Sequence, residues 1–168
     1  SVMFDISGDT TQVIALNSTV EPSKTYFMVP KEHSYTLSGT GAIGGTGEVW
    51  KSERGVMTLN ANIATTGKTV VSNGVLYVNG TISGPVSLRG YGSLGGKTTI
   101  NGDIDFEGSH NSEGCRLLPQ GVMTFGKGIA INHQVYDEVR LGNGTVDKLM
   151  VNGDVTITDR AGTKEKVT

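Results

Sequence analysis

The chain has 168 residues, a formal net charge of −2, 25 Gly and 4 Pro, with 36% apolar and 18% charged residues. Twenty Thr and 18 Val against six Ala favour strands and turns and argue against a helical bundle. Fourteen Lys and Arg against 16 Asp and Glu leave no basic surplus for nucleic-acid phosphates, and the apolar share is too high for a disordered chain.

The chain opens on Ser1-Val2-Met3-Phe4-Asp5-Ile6, already in strand-like alternation. Short β-prone runs follow at 11–16, 25–29, 34–37, 56–59, 69–71, 75–78, 86–88, 98–100, 104–106, 122–125, 129–131, 139–141, 148–151 and 155–157. Gly or Asn punctuates nearly every gap. The stretch 130–140 lacks a 3.6-residue period and reads as strand and loop. Residues 158–168 read as a polar tail, with Lys164 and Lys166 solvated around Glu165.

Five Asn-Gly pairs, at 73–74, 79–80, 101–102, 143–144 and 152–153, mark sharp bends. Both residues tolerate positive φ, so the pair serves either a hairpin or a corner between the faces of a coil. Three features favour the coil. The runs are short, often three or four residues. Val75-Leu76-Tyr77-Val78-Asn79-Gly80-Thr81-Ile82 is echoed by Thr99-Ile100-Asn101-Gly102-Asp103-Ile104-Asp105-Phe106 and by Leu149-Met150-Val151-Asn152-Gly153-Asp154-Val155-Thr156-Ile157. In each copy an apolar set alternates with Thr, Asp or Tyr, which gives an inside and an outside. The expected fold is all-β, a single-stranded right-handed parallel β-helix. At about 20 residues per coil the chain would make roughly eight coils and a rod of about 40 Å. One domain is expected over 1–168, with less regular coils in 1–38 and repeat-like coils in 39–157.

Cys115 is the only cysteine, so no intrachain disulfide can form. No apolar run approaches the roughly 20 residues of a membrane helix, and the start does not read as a signal peptide. Both ends read as cut, so a fragment of a larger secreted protein is expected.

From Ser38 onward the order of residues carries a resemblance. Ser38-Gly39-Thr40-Gly41-Ala42-Ile43-Gly44-Gly45-Thr46-Gly47-Glu48-Val49-Trp50-Lys51-Ser52 leads to Gly55-Val56-Met57-Thr58-Leu59-Asn60, then to Thr66-Gly67-Lys68-Thr69-Val70-Val71-Ser72-Asn73-Gly74 and the Val75–Gly80 strand. Gly92-Ser93-Leu94-Gly95-Gly96, Leu117-Leu118-Pro119-Gln120-Gly121 and Asp147-Lys148-Leu149-Met150-Val151-Asn152-Gly153 continue the pattern. This resembles the autotransporter-associated β-strand repeat, over about 120 of the 168 residues. Lys68, Arg54 and Gln120 depart from it, each where a small residue or Gly is usual, which bears on local turn shape. The resemblance implies a right-handed parallel β-helix exported to the cell surface as a stalk or passenger segment, often beside a carbohydrate-active module.

Asp103 and Asp105 share one face of a strand, with Cβ atoms about 7 Å apart, and Glu107 extends the row. Such a pair could serve sugar hydrolysis, but a solvated outer row above inward Ile104 and Phe106 is the stronger reading. The Asn-x-Asp, Asp-Asp and Gly-His-Gly marks of polygalacturonase-like helices are missing. Glu107, His110, Glu113 and Cys115 do not make paired zinc spacing, and Cys115 reads as a small buried filler. Trp50, Tyr77 and Tyr91 could offer aromatic faces to sugar rings. Tyr77 is expected outward, Trp50 packed into the core, and His33 and His133 on the surface.

The expected function is therefore a non-catalytic structural or interaction segment of an exported bacterial surface protein, extracellular or on the outer-membrane surface. Its expected partners are neighbouring domains, without nucleic acid, membrane span, cofactor or metal. The alternative is a carbohydrate-binding module that uses Trp50, Tyr77, Asp103 and Asp105 on a polysaccharide.

Overall fold

A computed structural model describes residues 1–5, 7, 9–108, 114–132, 138–140, 147–158 and 164–167. The strands are β1 (Val2–Phe4), β2 (Thr11–Ala15), β3 (Lys24–Met28), β4 (Ser34–Ile43), β5 (Glu48–Ser52) and β6 (Val56–Ile63). Next come β7 (Thr69–Val78), β8 (Thr81–Ile82), β9 (Val86–Gly96), β10 (Thr99–Ile100), β11 (Ile104–Gly108) and β12 (Arg116–Pro119). The last are β13 (Val122–Phe125), β14 (Ile129–Asn132), β15 (Glu138–Val139), β16 (Lys148–Val151), β17 (Val155–Thr158) and β18 (Lys164–Val167). No helix occurs among the described residues, and the strands stack in parallel as a β-solenoid of about six turns.

Pairing divides each coil into three faces. The first carries β1, β3, β5, the start of β7, the start of β9 and β11. The second carries β2, β4, β6, the end of β7, the end of β9, β12 and β15. The third carries the ends of β4 and β6, then β8, β10, β13 and β16. Because side chains alternate along a strand, in-register stacking turns every inward position into a ladder. The third face stacks Ile43, Ile63, Ile82, Ile100, Phe125 and Val151. The second stacks Tyr35, Met57, Leu76, Leu94 and Leu117, all at most 2% exposed.

Residue numbers along the third-face ladder step by 20, 19 and 18 and then by 25 and 26. The coils therefore vary in length, and about six turns form rather than eight. At about 4.8 Å per coil the stack rises about 30 Å, not 40. The sequence runs at 69–71 and 75–78 merge into β7 across the Asn73-Gly74 corner. Strand β5, unforeseen as a run, falls inside the repeat-like stretch. Residues 1–38 join the same faces as the rest. The expected tail holds β18, which pairs antiparallel with β17; β14, β17 and β18 make a separate small sheet.

Asn-Gly does sit at corners, for a reason only partly foreseen. Gly74 has φ +68°, as expected, but Gly80, Gly102 and Gly153 are not left-handed. At Gly102 a Cβ would lie 2.3 Å from the Gly84 carbonyl oxygen; at Gly84 it would lie 2.3 Å from that of Gly67, and at Gly67 2.3 Å from that of Gly47. One corner of the solenoid is thus a column of four glycines on which successive coils close. Asn143-Gly144 lies outside the described residues.

The two ends differ. At the first coil the interior opens on an apolar mouth lined by Val2, Phe4, Ile14, Val20, Leu37 and Ile43 among others. Val2 is 41% and Val20 40% exposed there. At the other end the antiparallel β18 closes the small sheet.

Candidate functional site

The outer side of the first face holds most of the ordered polar chemistry. Its central ladder runs Met3, Tyr26, Trp50, Val70, Ser87, Asp105 from coil to coil. Trp50 points outward, not into the core as expected, because it alternates with Val49 and Lys51, which are both fully buried. Its indole N–H donates to Glu48 Oε2 at 3.1 Å, and the Arg89 guanidinium lies 5.8 Å above its ring. Lys24 Nζ reaches the same Glu48 oxygen at 3.1 Å. The Trp50 indole and then the Lys24 ammonium hold the Glu48 carboxyl below its ordinary range, and Glu48 in turn raises Lys24. Arg89 continues the network to Glu107 at 3.2 Å and to Ser87 Oγ, also at 3.2 Å. Trp50 is therefore a half-buried brace across successive coils, with Val70 at 1% exposure as its in-register neighbour on the next.

Asp103 and Asp105 both face outward, as the alternation predicts, with Ile104 inward at 8% exposure. Each meets a lysine of another coil: Asp103 Oδ1 lies 2.9 Å from Lys127 Nζ, and Asp105 Oδ2 lies 3.7 Å from Lys68 Nζ. All three carboxylates of the row, Glu107 included, are thus held in ion pairs on a solvated wall. Lys68, which departs from the repeat pattern, has its partner here.

Tyr77 points outward from the second face, between fully buried Leu76 and Val78, and lies over Gly95. A Cβ on Gly95 would come within 2.5 Å of the tyrosine ring, so the glycine is what admits it. Tyr91 pairs with Asn73 at the corner between the first and second faces. Trp50, Tyr77 and Tyr91 therefore occupy different parts of the perimeter rather than one platform, and Tyr77 is separated from the carboxylate row.

Cys115 is fully buried, with Sγ 3.9 Å from the Gly90 carbonyl oxygen, as expected of a filler. His110, Glu113 and His133 lie outside the described residues. No group of three or more His, Cys, Asp or Glu able to hold a metal occurs among the described residues. His33 is half-buried, edge-on to Tyr35 at 6.3 Å. No helix of the described residues is long and apolar enough to cross a membrane.

The residue that the sequence reading missed is Lys51. It occupies an inward position of the first face, in register with Phe27 on one side and Val71 on the other, at 0% exposure. Its Nζ donates to the carbonyl oxygens of Ser52 at 2.7 Å, Glu53 at 2.8 Å and Asn73 at 3.1 Å. Burial pushes its pKa down to about 8, against the pull of the Glu53 carboxylate. The signal was present: in Val49-Trp50-Lys51 the lysine shares the phase of an inward valine.

Comparison with known protein families, with curated proteins and with solved structures finds no match to this chain.

Proposed function

We propose that this chain is a non-catalytic, rigid β-solenoid segment, a stalk or passenger module, of an exported bacterial cell-surface protein that also carries a carbohydrate-active module. The observation that supports this most is the continuity of the interior. Ile43, Ile63, Ile82 and Ile100 follow one another coil by coil at no more than 3% exposure, with parallel ladders on the other two faces. A stack in which every coil hydrogen-bonds the next holds whatever stands at its ends at a fixed separation. The ion-paired row of Asp103, Asp105 and Glu107 suits a solvated wall. The apolar mouth at Val2 and Val20 suits contact with a neighbouring domain or coil. Export, surface location and the company of a carbohydrate-active module rest on the resemblance in the sequence.

Two experiments test the reading. Intact cells making the full gene product are stained with an antibody raised against this segment. Staining before lysis is expected; staining only after lysis overturns the surface assignment. The purified segment is also incubated with a panel of pectins and related glycans. Unchanged glycans are expected, whereas sugar release that Asp103→Ala or Asp105→Ala abolishes would replace the scaffold with a hydrolase or lyase. Glycan binding lost in Trp50→Ala or Tyr77→Ala would replace it with a binding module.

A further inference from the structure

Lys51 is the only charged side chain buried among the described residues. Sequestering an ammonium costs free energy unless its hydrogens are all received, and an ammonium carries three donors. The corner between the first and second faces supplies three acceptors at 2.7–3.1 Å, one for each. Two carbonyls, of Ser52 and Glu53, belong to the coil that carries Lys51; the third, of Asn73, belongs to the next. The corner is shaped for this. Glu53 has φ +65°, a left-handed conformation that side chains other than glycine adopt at a cost. The Asn73 side-chain oxygen accepts the Gly74 N–H at 2.8 Å, and Ser72 Oγ donates to the Lys51 carbonyl at 3.3 Å.

We infer that this corner is a monovalent-cation site, built from three carbonyl oxygens, that the chain fills with its own Lys51 ammonium to fix β5 in register on β7. A point charge on a flexible stem fits three oxygens converging on one place; the planar fork of arginine does not. An apolar side chain of the same length would fill the space and leave the three oxygens without their donor. The lysine is therefore a positioning residue, and the ion class its corner accepts is ammonium or an alkali cation that tolerates carbonyl oxygens.

The test compares Lys51→Ala with Lys51→Met in the full 168-residue chain. Thermal unfolding is followed in ammonium, potassium and tetramethylammonium chloride at equal ionic strength. Lys51→Ala is expected to melt well below the parent in tetramethylammonium chloride and to regain roughly 5 °C in ammonium or potassium chloride. Lys51→Met, with the space filled, is expected to show the loss without the ion-specific gain. An alanine variant indifferent to the ion, or a methionine variant as stable as the parent, overturns the inference. Should Lys51→Ala fail to fold, the parent decides. The Lys51 ammonium protons, observed by nitrogen-15 NMR at neutral pH, are expected to exchange far more slowly than those of exposed Lys31. Exchange as fast as at Lys31 overturns the inference.

Discussion

The coil that starts at Thr69 and the coil that opens the chain are built by the same alternation, yet they bury very different fractions of their apolar side chains. In the first, Val70, Val71, Leu76, Val78 and Ile82 are at most 1% exposed. In the second, Val2, Met3, Val13 and Val20 are 40–74% exposed. Some of this gap is outward placement, as at Met3 and Val13. Val2 and Val20, however, stand on inward ladders, in register with Thr25 and Ile43. Among the described residues each is stacked on one side only. In a solenoid an inward side chain is covered from above and below, so its worth is set by its neighbours more than by its own coil.

The sharpest way to break this comparison is to truncate the same ladder at two heights. Ile82→Ala should cost about 4 kcal/mol, because the cavity it leaves is enclosed by Ile63 and Ile100. Val20→Ala at the open end should cost about 1 kcal/mol or less, since its side chain is already 40% exposed. Urea unfolding measures both, and equal losses would contradict the dependence on neighbours. The corner glycines give the next effect. Gly84→Ala forces a Cβ against the Gly67 carbonyl and should cost about 3 kcal/mol. Gly126→Ala, whose Cβ would sit 3.3 Å from the nearest oxygen, should cost under about 1 kcal/mol by the same measurement.

Lys51 sharpens the comparison through pH. Its pKa lies near 8 in the fold and at 10.5 when freed from burial, so between those values the unfolded chain holds more proton than the folded one. The three carbonyls return only part of what burial takes from the ammonium, so stability contributed by this group must rise as pH climbs from about 8 to 10.5, and be flat below 8. The difference in unfolding free energy between parent and Lys51→Met, measured across that window, should change by an amount that disappears below pH 8. A difference that stays constant would show that burial does not depress the lysine.

The smallest effects come from Thr25 and Thr69, on either side of Val49 in one inward ladder, whose buried hydroxyls have no hydrogen-bond partner among the described residues. Thr69→Val should raise stability by about 1 kcal/mol by removing an unpaired polar group at nearly constant shape. Thr25→Val should gain less, since its ladder neighbour Val2 leaves it nearer the open end. Chemical denaturation detects either shift, and a loss at Thr69 would mean that its hydroxyl is paired after all.

Much of this architecture was legible because a period of two survives even in three-residue strands. It placed Leu76, Val78 and Ile104 inside and Tyr77, Asp103 and Asp105 outside, while the turn chemistry of Asn-Gly marked corners. The same alternation, applied to Val49-Trp50-Lys51, would have turned Trp50 outward and Lys51 inward, but residue-type habits overrode the phase. Coil number was not legible, because the distance between stacked residues, such as Ile100 and Phe125, depends on loop lengths that carry no period. The copies around Asn79 and Asn101 also proved to share corner chemistry rather than position. The former turns from the second face to the third, and the latter from the third to the first. The ion pairs of Asp103 with Lys127 and Asp105 with Lys68 were hidden for the same reason, since each joins residues far apart in sequence.

One spectrum bears directly on the stacking itself. In a sample carrying proton-labelled isoleucine methyl groups on a deuterated background, the account predicts Overhauser contacts from Ile63 to Ile43, from Ile82 to Ile63 and from Ile100 to Ile82, with none between Ile43 and Ile100. Methyl contacts that instead join Ile82 to Ile104 as hairpin neighbours, with the chain-wise series missing, would contradict the parallel coil.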